Sequence, residues 1–165
     1  MVETSAGILL HRRRAAASGP RDGERGAEHG LEVLLGHMGG PFWQGRDEAA
    51  WSIPKGGFTD EAPLDAALRE FAEELGAPAP DVPYVELGVF RYTSGKTVAV
   101  FTGEAEFDAS AITSNTFELE WPPRSGRRQS FPEFDSAAWM PVADARARLV
   151  KGQRPALDAL LAHLA

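Results

Sequence analysis

The stretch Pro63-Leu64-Asp65-Ala66-Ala67-Leu68-Arg69-Glu70-Phe71-Ala72-Glu73-Glu74-Leu75-Gly76 is the best helical segment in the chain. Proline suits a first helical turn, where its missing N–H would have no partner, and Gly76 stands where a left-handed residue closes a helix. Pro78 and Pro80 prevent continuation. At about 100° per residue, Leu64, Ala67, Leu68, Phe71 and Leu75 share one stripe, and Glu70, Glu73 and Glu74 gather on nearly the opposite side. One face packs and the other collects carboxylates. Like charges at these spacings repel by a few tenths of a kcal/mol per pair, roughly, so something should offset them. A hard cation such as Mg²⁺, which prefers oxygen ligands, would do so; a solvated acidic face is the plainer alternative.

Outward from this helix the chain alternates strands with irregular segments. Residues 5–12 and 31–37 read as two strands, joined by residues 13–30, which have no apolar period and read as a hairpin loop. Residues 38–50 hold Gly39-Gly40-Pro41 and then Phe42-Trp43, ahead of a short strand at Trp51-Ser52-Ile53. β-Branched and aromatic residues at 84–92 and 97–107 flank Ser94-Gly95 and predict a hairpin. After a loop over 121–129, a last strand near 137–140 precedes helical segments at 142–150 and 155–164. The 165 residues contain no internal repeat and form one expected domain over residues 1–165.

Composition narrows the chemistry. With 43% hydrophobic and 25% charged residues the chain has a globular balance, and without cysteine it has no disulfide, thiolate metal site or cysteine nucleophile. No secretory-type apolar segment opens the sequence and no run of about 18 apolar residues occurs, so a cytoplasmic location off the membrane is expected. A formal charge of −7 argues against general nucleic-acid binding. The four histidines, His11, His29, His37 and His163, lack ligand spacing.

The string Gly56-Gly57-Phe58-Thr59-Asp60-Glu61, followed by Arg69-Glu70-Phe71-Ala72-Glu73-Glu74-Leu75-Gly76, resembles the Nudix box, Gly-x5-Glu-x7-Arg-Glu-U-x-Glu-Glu-x-Gly-U. Two departures stand out: only three residues separate Gly57 from Glu61, a loop two residues short, and Ala77 replaces a bulky aliphatic residue. Trp51-Ser52-Ile53-Pro54-Lys55-Gly56 is similar to the Trp-x-x-Pro-Lys-Gly approach of several Nudix branches, and Phe131-Pro132-Glu133-Phe134-Asp135 with Trp139-Met140-Pro141 looks like a Nudix C-terminal strand. The resemblance spans nearly the whole chain and implies an α/β/α sandwich around a mixed β-sheet.

It further implies a Mg²⁺-dependent hydrolase, with Mn²⁺ as a substitute, that cuts a phosphoanhydride in a substrate containing a nucleoside diphosphate. Glu70, Glu73 and Glu74 carry over as metal ligands, one of them alternatively as base; Glu61 and the Gly57 carbonyl join the metal set on family precedent. Arg69, four residues before Glu73, is placed to orient that carboxylate. An additional acid from outside the box is expected among Glu118, Glu120 and Glu133, with Glu133 preferred because it precedes the last strand. Lys55 is a candidate phosphate contact, and Arg124, Arg127 and Arg128 a candidate anion clamp, against the alternative of solvated arginines. Trp43, Phe42 or Trp121 are candidates for stacking on a base, against the alternative of covering a core edge.

The expected partner is a small nucleotide, and a homodimer is left open. Isomerase chemistry of the same fold, which resembles a reaction using cysteine, is disfavoured because the chain has none. A non-catalytic nucleotide sensor is the main rival, weakened by the presence of all four box glutamates and the arginine; RNA decapping is a third reading, supported only by the arginine loop.

Overall fold

The computed structural model describes residues 3–14 and 28–165. Among the described residues nine strands are distinguished: β1 (Thr4–Arg13), β2 (Leu31–Met38), β3 (Trp51–Ser52), β4 (Lys55–Gly57), β5 (Val85–Arg91), β6 (Thr97–Glu104), β7 (Thr116–Glu120), β8 (Arg128–Pro132) and β9 (Phe134–Pro141). Helix α1 (Pro63–Leu75) lies between β4 and β5, and α2 (Val142–Arg148) and α3 (Arg154–Leu164) close the chain.

Period-two alternation builds the two cores. In β1, Ala6, Ile8 and Leu10 point toward α1 while Leu9 points the other way; in β6, Ala99 and Phe101 oppose Val98 and Val100. Phe71, Leu75, Ala66 and Ala67 of α1 fill the first face, and Leu157, Leu160 and Ala145 of the C-terminal helices fill the second. The result is an α/β/α sandwich on a mixed sheet: β1 runs parallel to β6, while its pairs with β2 and β4, and the β2–β9 and β5–β6 pairs, are antiparallel. Helices on both sides explain why β1 and β2 are buried along almost their full length, polar Ser5, His11, Glu32 and His37 included.

The helix α1 has the limits its local signals dictate. Pro63 sits at the start, and Gly76 at φ 78° donates its N–H to the Ala72 carbonyl at 2.8 Å. The predicted 84–92/97–107 hairpin is present and slightly shorter, and α2 stops at Arg148 rather than 150. β1 and β2 pair antiparallel as expected for a hairpin, but residues 15–27 of the connecting stretch lie outside the described residues. Sequence reading placed a loop over 121–129 and overlooked β4, β7 and β8; the last two form a separate two-stranded ribbon whose turn is that loop. Among the described residues no helix is long and apolar enough to cross a membrane.

Candidate active site

The site forms where β4 is pressed between β1 and α1. Lys55, Gly56 and Gly57 pair with Gly7, Ala6 and Ser5, and this close approach depends on small residues. A Cβ on Gly7 would stand 2.6 Å from the Pro54 carbonyl oxygen, and one on Gly56 would overlap the Glu70 carboxyl group. With no side chain at Gly56, the Glu70 carboxylate rests directly on the β4 backbone. A cleft of about 300 Å³ opens beside it, lined by Lys55, Gly56, Gly57, Glu70, Glu73, Glu74, Asn115, Thr116 and Glu133. Glu133 is thus brought beside the helix glutamates.

Glu74 is the most constrained of these carboxylates. It is largely buried, and its Oε2 accepts the Lys55 backbone N–H at 3.1 Å. Burial pushes its pKa up to about 8; the Lys55 N–H and ammonium oppose that shift, and the charges of Glu70 and Glu133 add to it. Glu133 is also raised, again by burial first, with Lys55 opposing and Glu70 reinforcing. Only Glu73 lies opposite the packed stripe at about 100° per residue; Glu70 and Glu74 flank the stripe between the buried Ala66 and Ala67, and β4 with residues 113–116 walls in that flank.

Arg69 ties the other carboxylates together. Its Nη2 donates to Glu61 Oε1 at 2.7 Å, and its Nη1 donates to Glu70 Oε1 at 2.9 Å and Glu73 Oε1 at 3.3 Å. A longer contact, 3.5 Å, runs from Nη2 to the Gly57 carbonyl. Hydrogen bonding to Glu61, and then to Glu70 and Glu73, holds the guanidinium still more firmly protonated, and the same bond to Arg69 lowers the Glu61 pKa. One arginine therefore fixes two turns of helix to the loop that precedes it.

The family model of the NUDIX domain matches residues 8–160. The chain belongs to the NUDIX family. An RNA pyrophosphohydrolase of Rhizobium meliloti (strain 1021) is 31% identical over 127 residues, covering 68% of this chain and 71% of that one. A 17.7 kDa protein of phage T4, from the e-segB intergenic region, is 30% identical over 113 residues, 67% of this chain and 74% of its own. Among solved structures, the NUDIX domain of Shewanella oneidensis NrtR, complexed with ADP ribose, superposes with a TM-score of 0.63 at 16% identity over 100% of this chain and 90% of that one. A C. elegans Ap4A hydrolase superposes with a TM-score of 0.59 at 18% identity over 97% of each chain, and these two likenesses show the fold. The protein is a Nudix hydrolase.

Nudix hydrolases generally use a divalent metal such as Mg²⁺, and the donor set here suits one. Glu70, Glu73, Glu74 and Glu133 offer hard oxygen donors, and the bare Gly56 backbone leaves the Glu70 carboxylate room against β4. Among the described residues no three acidic or histidine side chains stand at ligating spacing; the Arg69 guanidinium lies among Glu61, Glu70 and Glu73.

The remaining sequence candidates divide. Lys55 and Gly57 line the cleft. Glu61 does not: it borders a neighbouring hollow with Glu3, Phe58 and Arg69. Glu118 pairs with Arg128 at 3.3 Å and Glu120 accepts the Gly126 N–H, so both serve the ribbon. Arg124 and Arg127 lie at the ribbon turn, away from the cleft lining. Trp43 packs against the core cluster on the side of the C-terminal helices and does not line the cleft, whereas Phe42, its exposed neighbour, meets Trp121 edge to face at 5.5 Å.

Asn115 and Thr116 were not anticipated. Asn115 donates its N–H to the Glu73 carbonyl at 2.9 Å and accepts the Glu133 N–H at 2.8 Å, joining the helix to the start of β9. These are bonds between residues distant in sequence, and no local pattern announces them.

Proposed function

We propose that this Nudix hydrolase is a Mg²⁺-dependent pyrophosphohydrolase that cleaves a phosphoanhydride in a nucleoside-diphosphate-linked substrate, and that residues 1–165 act as one catalytic domain. The observation that carries the proposal is the gathering of Glu70, Glu73, Glu74 and Glu133 around one cleft with Lys55. In this reading Glu70, Glu73 and Glu74 hold the cation, with Glu61 and the Gly57 carbonyl steadying Arg69 beside it. A bound divalent cation supplies charge neutralisation at the phosphate oxygens and a more acidic attacking water.

The chain's own groups do the rest. Lys55, whose charge acts on both Glu74 and Glu133, draws the anionic phosphate into an otherwise acidic cleft. Glu74 is held at a fixed place by the Lys55 N–H, and Glu133 faces the helix from the opposite wall. Glu133, which is not among the cation's ligands in this reading, is the carboxylate placed to take the proton of the attacking water. Arg69 keeps Glu70 and Glu73 from turning to solvent, so the ligating oxygens need little reorganisation.

Likeness to an RNA pyrophosphohydrolase supports a second reading, in which the anhydride lies at the 5′ end of an RNA. A panel of nucleoside triphosphates, dinucleoside polyphosphates, nucleotide sugars, ADP-ribose and 5′-triphosphorylated RNA, with Mg²⁺ and mass-spectrometric product identification, separates the two. Release of phosphate, pyrophosphate or nucleoside monophosphate is expected; inactivity on every member overturns the hydrolytic reading in favour of a ligand sensor.

A further inference from the structure

Glu70, Glu73 and Glu74 take their directions from helix α1, but Glu133 is the single residue between β8 and β9 and belongs to neither strand. Its backbone is held by other means. The Glu133 N–H donates to the Asn115 carbonyl at 2.8 Å, which fixes the peptide group before its Cα. The peptide group after it is held at both ends. The Glu133 carbonyl accepts the Gly39 N–H at 2.9 Å, and the Phe134 N–H donates to the Ser114 hydroxyl oxygen at 3.0 Å. That hydroxyl in turn donates to the Asn115 carbonyl at 2.9 Å, so one side chain links the two peptide groups that flank Glu133. The fit is close, since a Cβ on Gly39 would overlap the Pro132 carbonyl oxygen. Two residues beyond Glu133, the pairing of β9 with β2 passes from Met38 and Phe134 to His37 and Ser136, which leaves Asp135 as a bulge with its Oδ1 2.8 Å from His37 Nδ1. Such bulges bend a strand and re-aim the side chains beside it.

A peptide group is planar, so fixing the planes on both sides of a Cα fixes φ and ψ and with them the direction of the Cα–Cβ bond. Resting on the reading of Glu133 as the proton acceptor, we propose that Ser114 is a positioning residue for it. The hydroxyl does not line the cleft; it acts through the backbone of Glu133, holding the carboxylate in the wall that faces Glu70, Glu73 and Glu74. Serine suits the place because a small hydroxyl both accepts a hydrogen bond, from the Phe134 N–H, and donates one, to the Asn115 carbonyl. Without it the Phe134 N–H loses its partner, and the peptide group after Glu133 is held by Gly39 alone. A side chain released in this way need move only about 1 Å for the rate to fall, on the order of a hundredfold at most. The same clamp reaches α1, because the Asn115 N–H donates to the Glu73 carbonyl at 2.9 Å, so the spacing between the base and the helix is set by one short segment.

Kinetics are measured on the full chain with Mg²⁺ and the member of the substrate panel that the wild type cleaves fastest. Ser114→Ala is expected to lower kcat about tenfold or more while KM changes less than about twofold, since the hydroxyl acts on the base and not on substrate binding. Ser114→Thr, which keeps the hydroxyl, should restore most of the rate, and Ser114→Val, of the same shape without it, should not. That pair isolates the hydroxyl even if the alanine variant fails to fold, which circular dichroism reports. On a Glu133→Gln background, itself slow, Ser114→Ala should cost nothing further, because no base is left to position. Equal kcat in the threonine and valine variants, losses that multiply in the double variant, or a rise in KM at constant kcat each overturn the proposal and leave Ser114 as a cross-link of the fold. In those cases Glu133→Gln is still slow and the cleft keeps its function. A Glu133→Gln chain with near-normal kcat, or a wild type that cleaves no member of the panel, instead overturns the role given to Glu133 and the positioning role of Ser114 with it.

Discussion

The cleft and the ribbon turn carry opposite charges, and they differ more deeply in how those charges are held. In the cleft, carboxylates are pressed against backbone, bound by Arg69 and the Lys55 N–H, and pushed toward their neutral forms by burial. At the turn, guanidinium groups stand in solvent on a frame built by other residues. Buried charge is expensive unless compensated, so its presence implies a compensating function, whereas exposed charge adds almost nothing to folding. The strongest way to break this contrast is Glu74→Gln, which keeps the shape and an acceptor for the Lys55 N–H but removes a charge. Turnover is expected to fall at least about a hundredfold with an unchanged circular dichroism spectrum, the scale on which single catalytic groups act. Near-normal turnover would falsify the role given to Glu74.

Gly56→Ala tests the same cleft from its other wall. The new Cβ would overlap the end of the Glu70 side chain, which is flexible enough to move aside, so the fold survives while the carboxylate is displaced. A shift of that kind is expected to lower kcat/KM by about 10–100-fold. Wild-type kinetics would show that the position of Glu70 is not demanding. In metal-free buffer at pH 7, Glu74→Gln should have the opposite sign of effect, raising the thermal midpoint by on the order of 2–4 °C, because the folded chain must hold Glu74 protonated at a pH where the unfolded chain ionises it, and glutamine carries no such cost. A lowered midpoint would mean that the carboxylate is stabilised by its surroundings after all.

The same contrast decides what the sequence revealed. Helix α1 was legible to both ends because its signals are local: Pro63, a packed stripe and Gly76. Its carboxylates were legible as residues but not as a wall of a cleft, since that depends on β4. The β4 segment, Lys-Gly-Gly, has little strand preference of its own and pairs only because Gly7 and Gly56 admit the close approach. The ribbon did leave a trace, the alternation Thr116-Phe117-Glu118-Leu119-Glu120, but the Pro122-Pro123 pair and the glycine beyond it dominated the reading as loop. That alternation also explains why Glu118 and Glu120 share the solvent face of the ribbon while Glu133, placed between β8 and β9, reaches the cleft. The apolar faces of the sandwich followed from period two, whereas Asn115 and Thr116 needed hydrogen bonds across the chain.

His11 extends the comparison to a buried group with no catalytic assignment. It is 5% exposed, and because the Thr102 hydroxyl donates to the Leu9 carbonyl, the hydrogen bond between His11 Nδ1 and Thr102 has the imidazole N–H donating. Burial lowers its pKa, with Glu104 opposing and His163 and Arg13 reinforcing. Below about pH 6.5 the unfolded chain therefore takes up a proton that the folded chain resists. This contribution to stability is full above that pH and is lost as pH falls through the lowered folded value. Urea unfolding at pH 7.5 and 5.5 should show a larger drop for the wild type than for His11→Gln; equal drops would remove His11 from the account.

The smallest effect should come from Arg128→Ala, and its smallness is informative. Arg128 and Glu118 meet at 3.3 Å across the ribbon, with both side chains about two-thirds exposed. An ion pair of that exposure contributes about 0.5 kcal/mol or less, screened further by salt. The ribbon turn is already fixed by Trp121, Gln129, Glu120 and Ser125, so the variant should keep its urea midpoint within error at moderate ionic strength. A loss well above 1 kcal/mol would mean that the arginines build the turn rather than decorate it. The distinction between committed charge in the cleft and uncommitted charge at the ribbon would then fail at the place where it looks safest.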